Sequence, residues 1–373
     1  MLRYLTAGES HGKYLVAILE GMIAGLKIDT ELVNRELSRR QAGYGRSPRM
    51  KIESDRIEIL SGIRKSESIG SPIALLIKNR AERMEQLPSF TSPRPGHADL
   101  AGALKYNRRD LRDVLERASA RETACRVAVG SIARQLLREF KIELISHVVN
   151  IAGIEADTKV LSFAAIKSRV LRSKLNCADQ KAQAAMMAEI DKAGKEGDTV
   201  GGIFEVIIRG LPPGLGSYVH YDRKIDNRLA GAISSIQSVK AVEFGLGFSV
   251  SGKRGSEVHD EIFYKKGKGF YRDSNNAGGI EGGMTNGEDI VLRAAVKPIS
   301  TLRRPLRSVD TVSKKPSRAR FERADICVVP SAGVIGEAVA AFEIANLMLE
   351  KFGGDSLKEM KRNYQGYIKQ ISK

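Results

Sequence analysis

The sequence predicts an α+β fold, because helical patterns and strand patterns occur in separate runs and do not alternate regularly. Of its 373 residues, 42% are hydrophobic and 28% are charged, which is the balance of a globular protein. A chain of this length can bury a large core in one domain or in two. We therefore expect layers of helices packed on sheets.

Apolar residues recur at helical spacing in three segments. The first predicted helix begins near Asp110 and runs toward Phe140 as one long helix. The others cover about Asp222–Ser238 and about Gly333–Lys351. Four further segments are rich in β-branched and aromatic residues and predict strands: Gly202–Arg209, Val242–Phe248, Ile290–Val296 and Phe321–Val329.

A weak internal repeat links the two halves of the chain. The apolar run Leu15–Glu20 is followed by Gly21 and Gly25, and the run Phe204–Arg209 is followed by Gly210 and Gly214. A predicted helix comes next in both cases. Two related halves that share one core would explain the pattern, and a chance similarity of two turns is the alternative.

The net charge of +17 predicts an anionic partner, since 61 Lys and Arg face 44 Asp and Glu. Nucleic acid and an acidic small molecule both fit this charge. Tryptophan is absent and aromatic residues are only 6%, so few side chains are suited to stacking on bases.

The cysteines and the apolar runs indicate a cytoplasmic protein. Cys125, Cys177 and Cys327 are far apart and form no Cys-x-x-Cys pair, which argues against disulfides and against a zinc site. No secretory leader is recognisable, and no apolar run reaches the roughly 18 residues of a membrane span. We expect neither a metal ion nor a membrane as partner.

Two histidines stand in turns that suit a role in catalysis. His11 lies in the segment Gly8–Gly12 among small residues, and His97 lies in Pro93–Asp99, where two prolines stiffen the chain. A histidine can give or take a proton near neutral pH. The alternative for each is a structural turn with an exposed ring.

Arginines are concentrated in the segment Arg39–Arg49, which contains four of them on a glycine-rich loop without lysine or acid. Guanidinium groups bind phosphate and carboxylate bidentately, so the loop predicts an anion site. A solvated basic surface is the alternative.

Three further segments carry polar residues in unusual places. Glu116–Thr123 interrupts the apolar face of the long predicted helix, which fits either ion pairs within the helix or a ligand face. Gly278–Gly287 is rich in glycine and precedes Lys297–Thr301. In the predicted strand, Arg323 and Asp325 project to the same face and could form a structural ion pair.

Taken together and in this order, these segments resemble the chorismate synthase family. The resemblance covers residues 4 to 340 and is carried by GESHG, RRQAGYGR, RMKIESD, PRPGHADL, ERASARET, VEFGLGF, GGIEGGMTNG, KPIST and ERAD. The chain departs from the usual pattern at Ala118, at Gln237 and Ser238, and at Ser47-Pro48.

The resemblance implies a single domain over residues 1–373, a β-α-β sandwich, that usually forms a homotetramer. It implies the conversion of 5-enolpyruvylshikimate 3-phosphate to chorismate and phosphate by a 1,4-anti elimination. Reduced FMN is required without net redox change. The reductant is left open between NADPH used by the chain itself and an external flavin reductase as partner.

The resemblance also assigns residue roles. His11 would protonate the departing phosphate, His97 would keep the reduced flavin monoanionic, and Asp325 would help relay a flavin proton. Ser10, Arg40, Arg46 and Arg49 would bind substrate, and Arg40 and Arg46 also match positions associated with NADPH. The positions that match the FMN site are Arg117, Ala118, Ser119, Gln237, Ser238, Gly282, Lys297, Pro298, Ile299, Ser300, Thr301 and Arg323.

A basic protein that binds nucleic acid is the alternative function. It predicts binding that weakens steeply with salt and no retention of flavin.

Overall fold

The computed structural model describes residues 1–46, 54–80, 82–267, 269–322 and 325–372. The strands are β1 (Arg3–Ala7), β2 (Tyr14–Glu20), β3 (Ile57–Ile59), β4 (Ile63–Arg64), β5 (Glu67–Ser68), β6 (Ile73–Lys78), β7 (Glu143–Ile151), β8 (Ile154–Glu155), β9 (Gly202–Arg209), β10 (Val239–Phe244), β11 (Phe263–Lys265), β12 (Gly269–Tyr271), β13 (Ile280–Glu281), β14 (Met284–Thr285), β15 (Ile290–Val296), β16 (Arg307–Val309) and β17 (Pro316–Arg318).

The helices are α1 (Thr30–Gln41), α2 (Asp99–Tyr106), α3 (Arg112–Ala118), α4 (Thr123–Arg138), α5 (Phe163–Val170), α6 (Gln180–Glu196), α7 (Ile225–Ser234), α8 (Gly255–Val258), α9 (Val329–Phe352) and α10 (Leu357–Ile371). Short 3₁₀ turns occupy Met84–Gln86, Ala120–Glu122, Tyr221–Arg223 and Gly247–Gly252.

Two antiparallel sheets flank the central helices. The first sheet has the strand order β1-β2-β6-β3, and the second has the order β10-β15-β9-β7-β8. Helix α4 packs on the first sheet, α9 packs on the second, and the two helices pack on each other. A single apolar core includes buried residues from both sheets and from both helices.

Glycines allow this close packing. A Cβ on Gly130 of α4 would lie 2.3 Å from the carbonyl oxygen of Ala338 in α9. A Cβ on Gly336 of α9 would lie 2.6 Å from the ring of Phe204 in the second sheet. Any larger residue would force the layers apart, since protein interiors leave no spare volume.

Helix α9 is mostly apolar and is buried on almost all sides, as expected of a helix between layers, although it also carries the buried Glu337 and Asn346. It is the one helix of the described ranges that is long and apolar enough to cross a membrane. In the fold, 94% of the apolar 18-residue stretch of α9 is buried, so its apolar surface is already covered by protein.

The internal repeat seen in the sequence has a structural counterpart. Gly21 follows β2 and Gly210 follows β9, with φ of +84° and +88°. A Cβ on Gly21 would clash with the carbonyl oxygen of Met1, and one on Gly210 with that of Lys141, at 2.2 and 2.6 Å. Each carbonyl precedes the neighbouring antiparallel strand, so both turns follow the same steric rule.

The predicted strands Gly202–Arg209 and Ile290–Val296 are confirmed to the residue. The strand predicted at Val242–Phe248 is shifted to Val239–Phe244, because Gly245 and Gly247 both adopt φ of +55° and end the ladder. The helix predicted at Asp222–Ser238 is shorter, since residues 221–223 form a separate 3₁₀ turn.

Two sequence predictions are wrong. The described residues of Phe321–Val329 form no strand, because the segment leads directly into α9 at Val329, with Pro330 in its first turn. The single helix predicted from Asp110 toward Phe140 is broken at Ser119, and this break shapes the site described next.

Candidate active site

The turn between β1 and β2 places His11 against helix α3. The turn begins at Gly8, where φ is +103°. Glycine is required there, because a Cβ would lie 2.3 Å from the carbonyl oxygen of Tyr14. The backbone N–H of Ser10 donates to the carbonyl of Glu116 over 3.0 Å. The turn is thereby fixed on α3, with Ser10 and His11 both buried.

Glu116 contacts both the ring and the backbone of His11. Its two carboxylate oxygens lie 2.9 and 3.1 Å from the ring Nδ1, and one of them accepts the backbone N–H of His11 over 2.8 Å. Burial alone would raise the pKa of Glu116, but the hydrogen bonds and charge of His11 outweigh it and hold the pKa below its usual value. The carboxylate is therefore ionised and can only accept hydrogen bonds.

Arg112 lies behind this carboxylate. Its Nη1 is 3.7 Å from Oε1 of Glu116, and its Nη2 donates to Oε1 of Glu322 over 2.8 Å. The guanidinium also lies over the ring of Phe90, 5.2 Å from the centroid. The buried positive charge of Arg112 is shared between two carboxylates.

The break at Ser119 brings polar groups to the His11 turn. Ser119 is extended, with ψ of 141°, and its Oγ lies 3.3 Å from Oγ of Ser10. Arg117 turns back to donate to the carbonyls of Gly8 and Thr6, each over 2.9 Å. Ala118 is the last residue of α3. The polar residues that interrupt the apolar pattern thus mark a kink beside the turn, which the helical periodicity did not reveal.

His97 is held within its own segment. Its Nδ1 lies 2.5 Å from Oδ1 of Asp99, the first residue of α2. Arg94 binds the same carboxylate through its backbone N–H and its guanidinium, over 3.0, 2.8 and 2.9 Å, and also donates to Thr301 Oγ1 over 3.0 Å. Burial would raise the pKa of Asp99, but the hydrogen bonds from Arg94 and His97 hold it well below its usual range.

Gly96 links His97 to the segment after β15. Its carbonyl accepts hydrogen bonds from Nζ of Lys297 and, over 3.0 Å, from Oγ of Ser300. Partial burial and the nearby charge of Lys240 lower the pKa of Lys297. An amine and a hydroxyl therefore converge beside His97.

Thr199 and Gly201 hold the remainder of the segment 297–301 in place. Thr199 donates to the carbonyl of Ile299 over 2.8 Å, and Gly201 leaves room for Pro298, which a Cβ would approach to 3.0 Å. The segment 297–301 is thus held by contacts on both sides of its backbone.

Gln237 and Ser238 connect the two histidine clusters. The Gln237 amide donates to Glu122 over 2.8 Å, just beyond the helix break. Ser238 adopts φ of +72°, and its carbonyl accepts the backbone N–H of Lys297 over 2.9 Å. A continuous path of contacts therefore leads from the His11 turn to the His97 segment.

Arg39 and Arg40 lie in the last turn of α1 and not on the predicted loop, and Arg40 is buried there. Its Nε donates to Oγ1 of Thr123 over 3.0 Å, and its Nη1 lies 3.7 Å from Asp55. Burial lowers the pKa of Arg40 to about 10; Asp55 opposes this shift and Arg121 adds to it. Nη1 makes no hydrogen bond within the described residues, which suits it to an incoming anion.

Arg46 and Asp325 form an ion pair with a distance of 2.8 Å. Residues 325–328 lie along the loop that carries Arg46: the carbonyl of Gly45 accepts the N–H of Ile326 over 2.8 Å. The ion pair expected between Arg323 and Asp325 stays a prediction, since Arg323 is not among the described residues. Arg49 and Arg323 lie outside the described residues.

Gly282 is at the tip of the β13–β14 hairpin, with φ of +58°. This hairpin packs on Lys224 and Ile225, and Arg272 binds Glu281 next to the tip. In the described part of the chain, these contacts do not bring Gly282 to either histidine cluster.

Several residues of the site were not singled out by sequence reasoning. Arg94 was passed over although it stands three residues before His97, and Glu116 was read only as part of a polar stretch. Arg121 joins Asp55, over 2.6 Å, to Asn79, over 2.9 Å, across three distant segments. The spacing of Glu116 four residues after Arg112 indicates that the two side chains can pair on one helix face. Nothing in the sequence indicates that Asp55 belongs to the site.

Within the ranges the structure describes, no group of three or more His, Cys, Asp or Glu side chains is placed to hold a metal ion. The three cysteines are buried and free, and burial raises the pKa of Cys125 to about 12.

Comparison with known proteins gives one consistent result. Residues 2–349 match the family model described as chorismate synthase. The chain is 55% identical to a chorismate synthase of Desulforudis audaxviator, covering 100% of this chain and 98% of that protein. It is also 55% identical to one of Geobacter sulfurreducens, at 100% and 99% coverage. A crystal structure of a chorismate synthase superposes with a TM-score of 0.83 at 42% identity, covering 100% of this chain and 98% of the other.

Proposed function

The chain belongs to the chorismate synthase family, and from this premise we propose that it converts 5-enolpyruvylshikimate 3-phosphate to chorismate and phosphate by a 1,4-anti elimination. The observation that carries the proposal is the pair of histidines, each bonded through Nδ1 to a buried carboxylate, joined by a path of polar contacts. A reaction that moves protons at two places needs two such groups.

The donors of this region fit reduced FMN. The residues of this region that would hold it are Arg117, Ala118, Ser119, Gln237, Ser238 and Lys297–Thr301. Gly282 and Arg323 are proposed from the family resemblance alone. Cationic and hydroxyl groups among them match a flavin phosphate and its polar ring edge, and Lys297 and Ser300 already converge on one carbonyl. When bound, reduced FMN would supply electron density that is returned within each turnover, so no net oxidation or reduction results.

The arginine loop would bind the substrate, whose phosphate and two carboxylates require cations. Arg40, Arg46 and Arg49 are the proposed partners, together with Ser10. The buried Nη1 of Arg40 supports this assignment, because it makes no hydrogen bond within the described residues and a buried donor of this kind is stabilised by an anion. The departing phosphate also gains negative charge as its C–O bond breaks, and preorganised cations favour that step.

The proton steps follow from the histidine geometry. The elimination breaks one ring C–H bond and the C–O bond to phosphate, and it forms a second ring double bond. We assign to His11 the donation of a proton to the leaving phosphate. His97 would exchange a proton through its other ring nitrogen, since Nδ1 is bonded to Asp99. Asp325 would accept a proton at its carboxylate, in competition with its ion pair to Arg46.

The overall architecture proposed for the chain is one domain over residues 1–373, a β-α-β sandwich of two related halves that assembles as a homotetramer in the cytoplasm, with neither nucleic acid nor membrane as partner. The single core shared by both sheets supports the one-domain proposal. The equivalent glycine turns after β2 and β9 support the two related halves.

Whether the chain reduces its own flavin can be measured directly. Turnover in air with NADPH and FMN alone would identify Arg40 and Arg46 as candidates for NADPH binding. Turnover only under anaerobic conditions with chemically reduced FMN would instead require an external flavin reductase as partner.

The basic charge of the chain keeps a nucleic-acid-binding protein as the alternative function. A flavin titration separates the two: adding FMN and 5-enolpyruvylshikimate 3-phosphate together should change the flavin absorption spectrum. An unchanged spectrum, together with DNA or RNA binding that weakens steeply with salt, would contradict the enzyme proposal.

A further inference from the structure

We propose that Glu116 is a positioning residue that holds His11 as the Nδ1-protonated tautomer, so that His11 exchanges protons through Nε2 alone. The proposal rests on the function proposed above, and it adds a residue that the family resemblance did not assign. It starts from the three contacts between the Glu116 carboxylate and His11.

The first step is the chemistry of the carboxylate. An ionised carboxylate has no hydrogen to donate, so the hydrogen between it and Nδ1 must belong to the imidazole. The side chain of Glu116 is fully buried, and no solvent reaches it to take over this role. The tautomer is therefore set by Glu116.

The second step is orientation. One carboxylate oxygen accepts the backbone N–H of His11, and both oxygens lie within 3.1 Å of Nδ1. The ring and the backbone of His11 are thus bound to the same rigid group. Ser10 adds a backbone hydrogen bond to the carbonyl of Glu116, so the turn cannot move relative to the carboxylate.

The third step is the support behind Glu116. Arg112 is one helical turn earlier in α3, with Nη1 3.7 Å from Oε1, and is itself fixed by Glu322 and by the carbonyl of Pro88. A cation at this position keeps the buried carboxylate ionised through the proton transfer. The proton donor is the imidazolium form of His11, which carries a proton on each ring nitrogen. When it gives up the proton on Nε2, the Nδ1–H hydrogen bond to Glu116 is kept, and the neutral ring that remains is the Nδ1-protonated tautomer.

A double-mutant cycle tests whether Glu116 acts through His11. The kcat and KM of wild type, Glu116→Gln, His11→Ala and the double variant are measured with reduced FMN under anaerobic conditions. Glutamine keeps the size but carries no charge and has one acceptor oxygen where the carboxylate has two. We expect Glu116→Gln to lower kcat at least roughly tenfold with KM within about threefold. In the His11→Ala background the same change should lower kcat by less than about twofold, because the group it positions is gone.

Glu337→Gln is the matched control. Glu337 is equally buried and is bound by Arg39, Arg134 and Ser146 in the core, away from both histidines. This variant should lose thermal stability while kcat stays near that of wild type. A similar loss of kcat in Glu337→Gln would show that the effect comes from loosened packing.

Two results would overturn the proposal: normal kcat in folded Glu116→Gln, or equal losses of kcat from this substitution with and without His11. If Glu116→Gln does not fold, Glu116→Asp keeps the charge and should retain more activity than Glu116→Ala. Wild type that forms no chorismate would contradict the proposed function instead.

A measurement that needs no turnover completes the test: ring ¹⁵N NMR of histidine-labelled protein, with His11 assigned by comparison with His11→Ala. The Nδ1-protonated form should dominate in wild type and lose population in Glu116→Gln. A neutral ring in wild type that is protonated at Nε2 and not at Nδ1 would overturn the proposal even in an inactive enzyme.

Discussion

In both histidine clusters a buried carboxylate binds Nδ1 of the ring, but the two carboxylates come from very different places in the sequence. His11 is bound by Glu116, which is 105 residues away in the sequence, and its side chain is 9% exposed. His97 is bound by Asp99, two residues away, and its side chain is 21% exposed. The first histidine therefore depends on the tertiary fold, whereas the second depends mainly on a local turn.

The arginines behind the two carboxylates differ as well. Arg94 binds Asp99 through three hydrogen bonds, so this carboxylate stays satisfied without His97. Nη1 of Arg112 lies 3.7 Å from Oε1 of Glu116, and the same guanidinium also binds the carboxylate of Glu322. The Glu116 carboxylate therefore depends on His11 for its hydrogen bonds, whereas the Asp99 carboxylate would keep three hydrogen bonds from Arg94 without His97.

The largest expected effect is on turnover and should be shared by both clusters. His11→Ala and His97→Ala should each lower kcat by roughly 100-fold or more, the scale of a lost general acid or base. His220→Ala is a control, because His220 is exposed and pairs only locally with Asp222. Full activity in either variant, with a folded protein in both, would remove that histidine from the mechanism.

Asp325→Asn should also lower kcat by roughly 100-fold if the carboxylate accepts a proton. The amide keeps the size and can still accept a hydrogen bond from Arg46. A variant that keeps its turnover at saturating substrate but melts earlier would show that Asp325 only anchors Arg46 through their ion pair.

Arg40→Lys tests the proposed anion site at the end of α1 and should have a smaller effect. Lysine keeps the charge but lacks the planar fork, so KM for the substrate should rise about tenfold, equivalent to about 1.4 kcal/mol. Steady-state kinetics at fixed reduced FMN measures this. An unchanged KM would mean that the buried guanidinium of Arg40 has a structural role, through its contacts with Thr123, Ala120 and Asp55.

The stability of the variants should separate the clusters. His11→Ala leaves Glu116 buried without its ring partner and should lower the free energy of unfolding by about 1–3 kcal/mol. His97→Ala should lower it less, because Arg94 still binds Asp99. Urea denaturation of both variants at neutral pH measures the difference, and equal losses would contradict the comparison.

The smallest expected effect is the pH dependence of stability. Because the folded pKa of Asp99 lies below its usual value, its contribution is fully present above about pH 4 and is lost as the pH falls toward the folded pKa. Asp99→Asn should therefore destabilise the protein at pH 7 more than at pH 3. The exposed Glu58 provides a control, since Glu58→Gln should show no such difference.

The same contrast explains what the sequence could predict. Asp99 lies close enough in the sequence to affect the orientation of His97, because both residues belong to one stiff segment, but the sequence does not establish their contact. The strands Gly202–Arg209 and Ile290–Val296 could be predicted because their apolar runs are bounded by glycine or polar residues. In each case the information is local.

The remainder of the site depends on distant contacts, which periodicity does not contain. The helix break at Ser119 left the apolar pattern intact, since Leu115 and Val129 are both buried on either side of it. The ion pair of Asp325 with Arg46 could not be predicted, because it depends on residues 325–328 lying along the loop that carries Arg46. Glu116 is buried because the β1–β2 turn packs on α3, and this contact joins segments that are distant in the sequence.

The most direct test of the account is the number of chorismate molecules formed per molecule of reduced FMN. The protein is supplied anaerobically with chemically reduced FMN and excess 5-enolpyruvylshikimate 3-phosphate, and chorismate and oxidised flavin are both measured. The account predicts many chorismates, an equal amount of phosphate, and no accumulation of oxidised FMN. One product per flavin oxidised, or no product from a folded protein that binds both ligands, would contradict it.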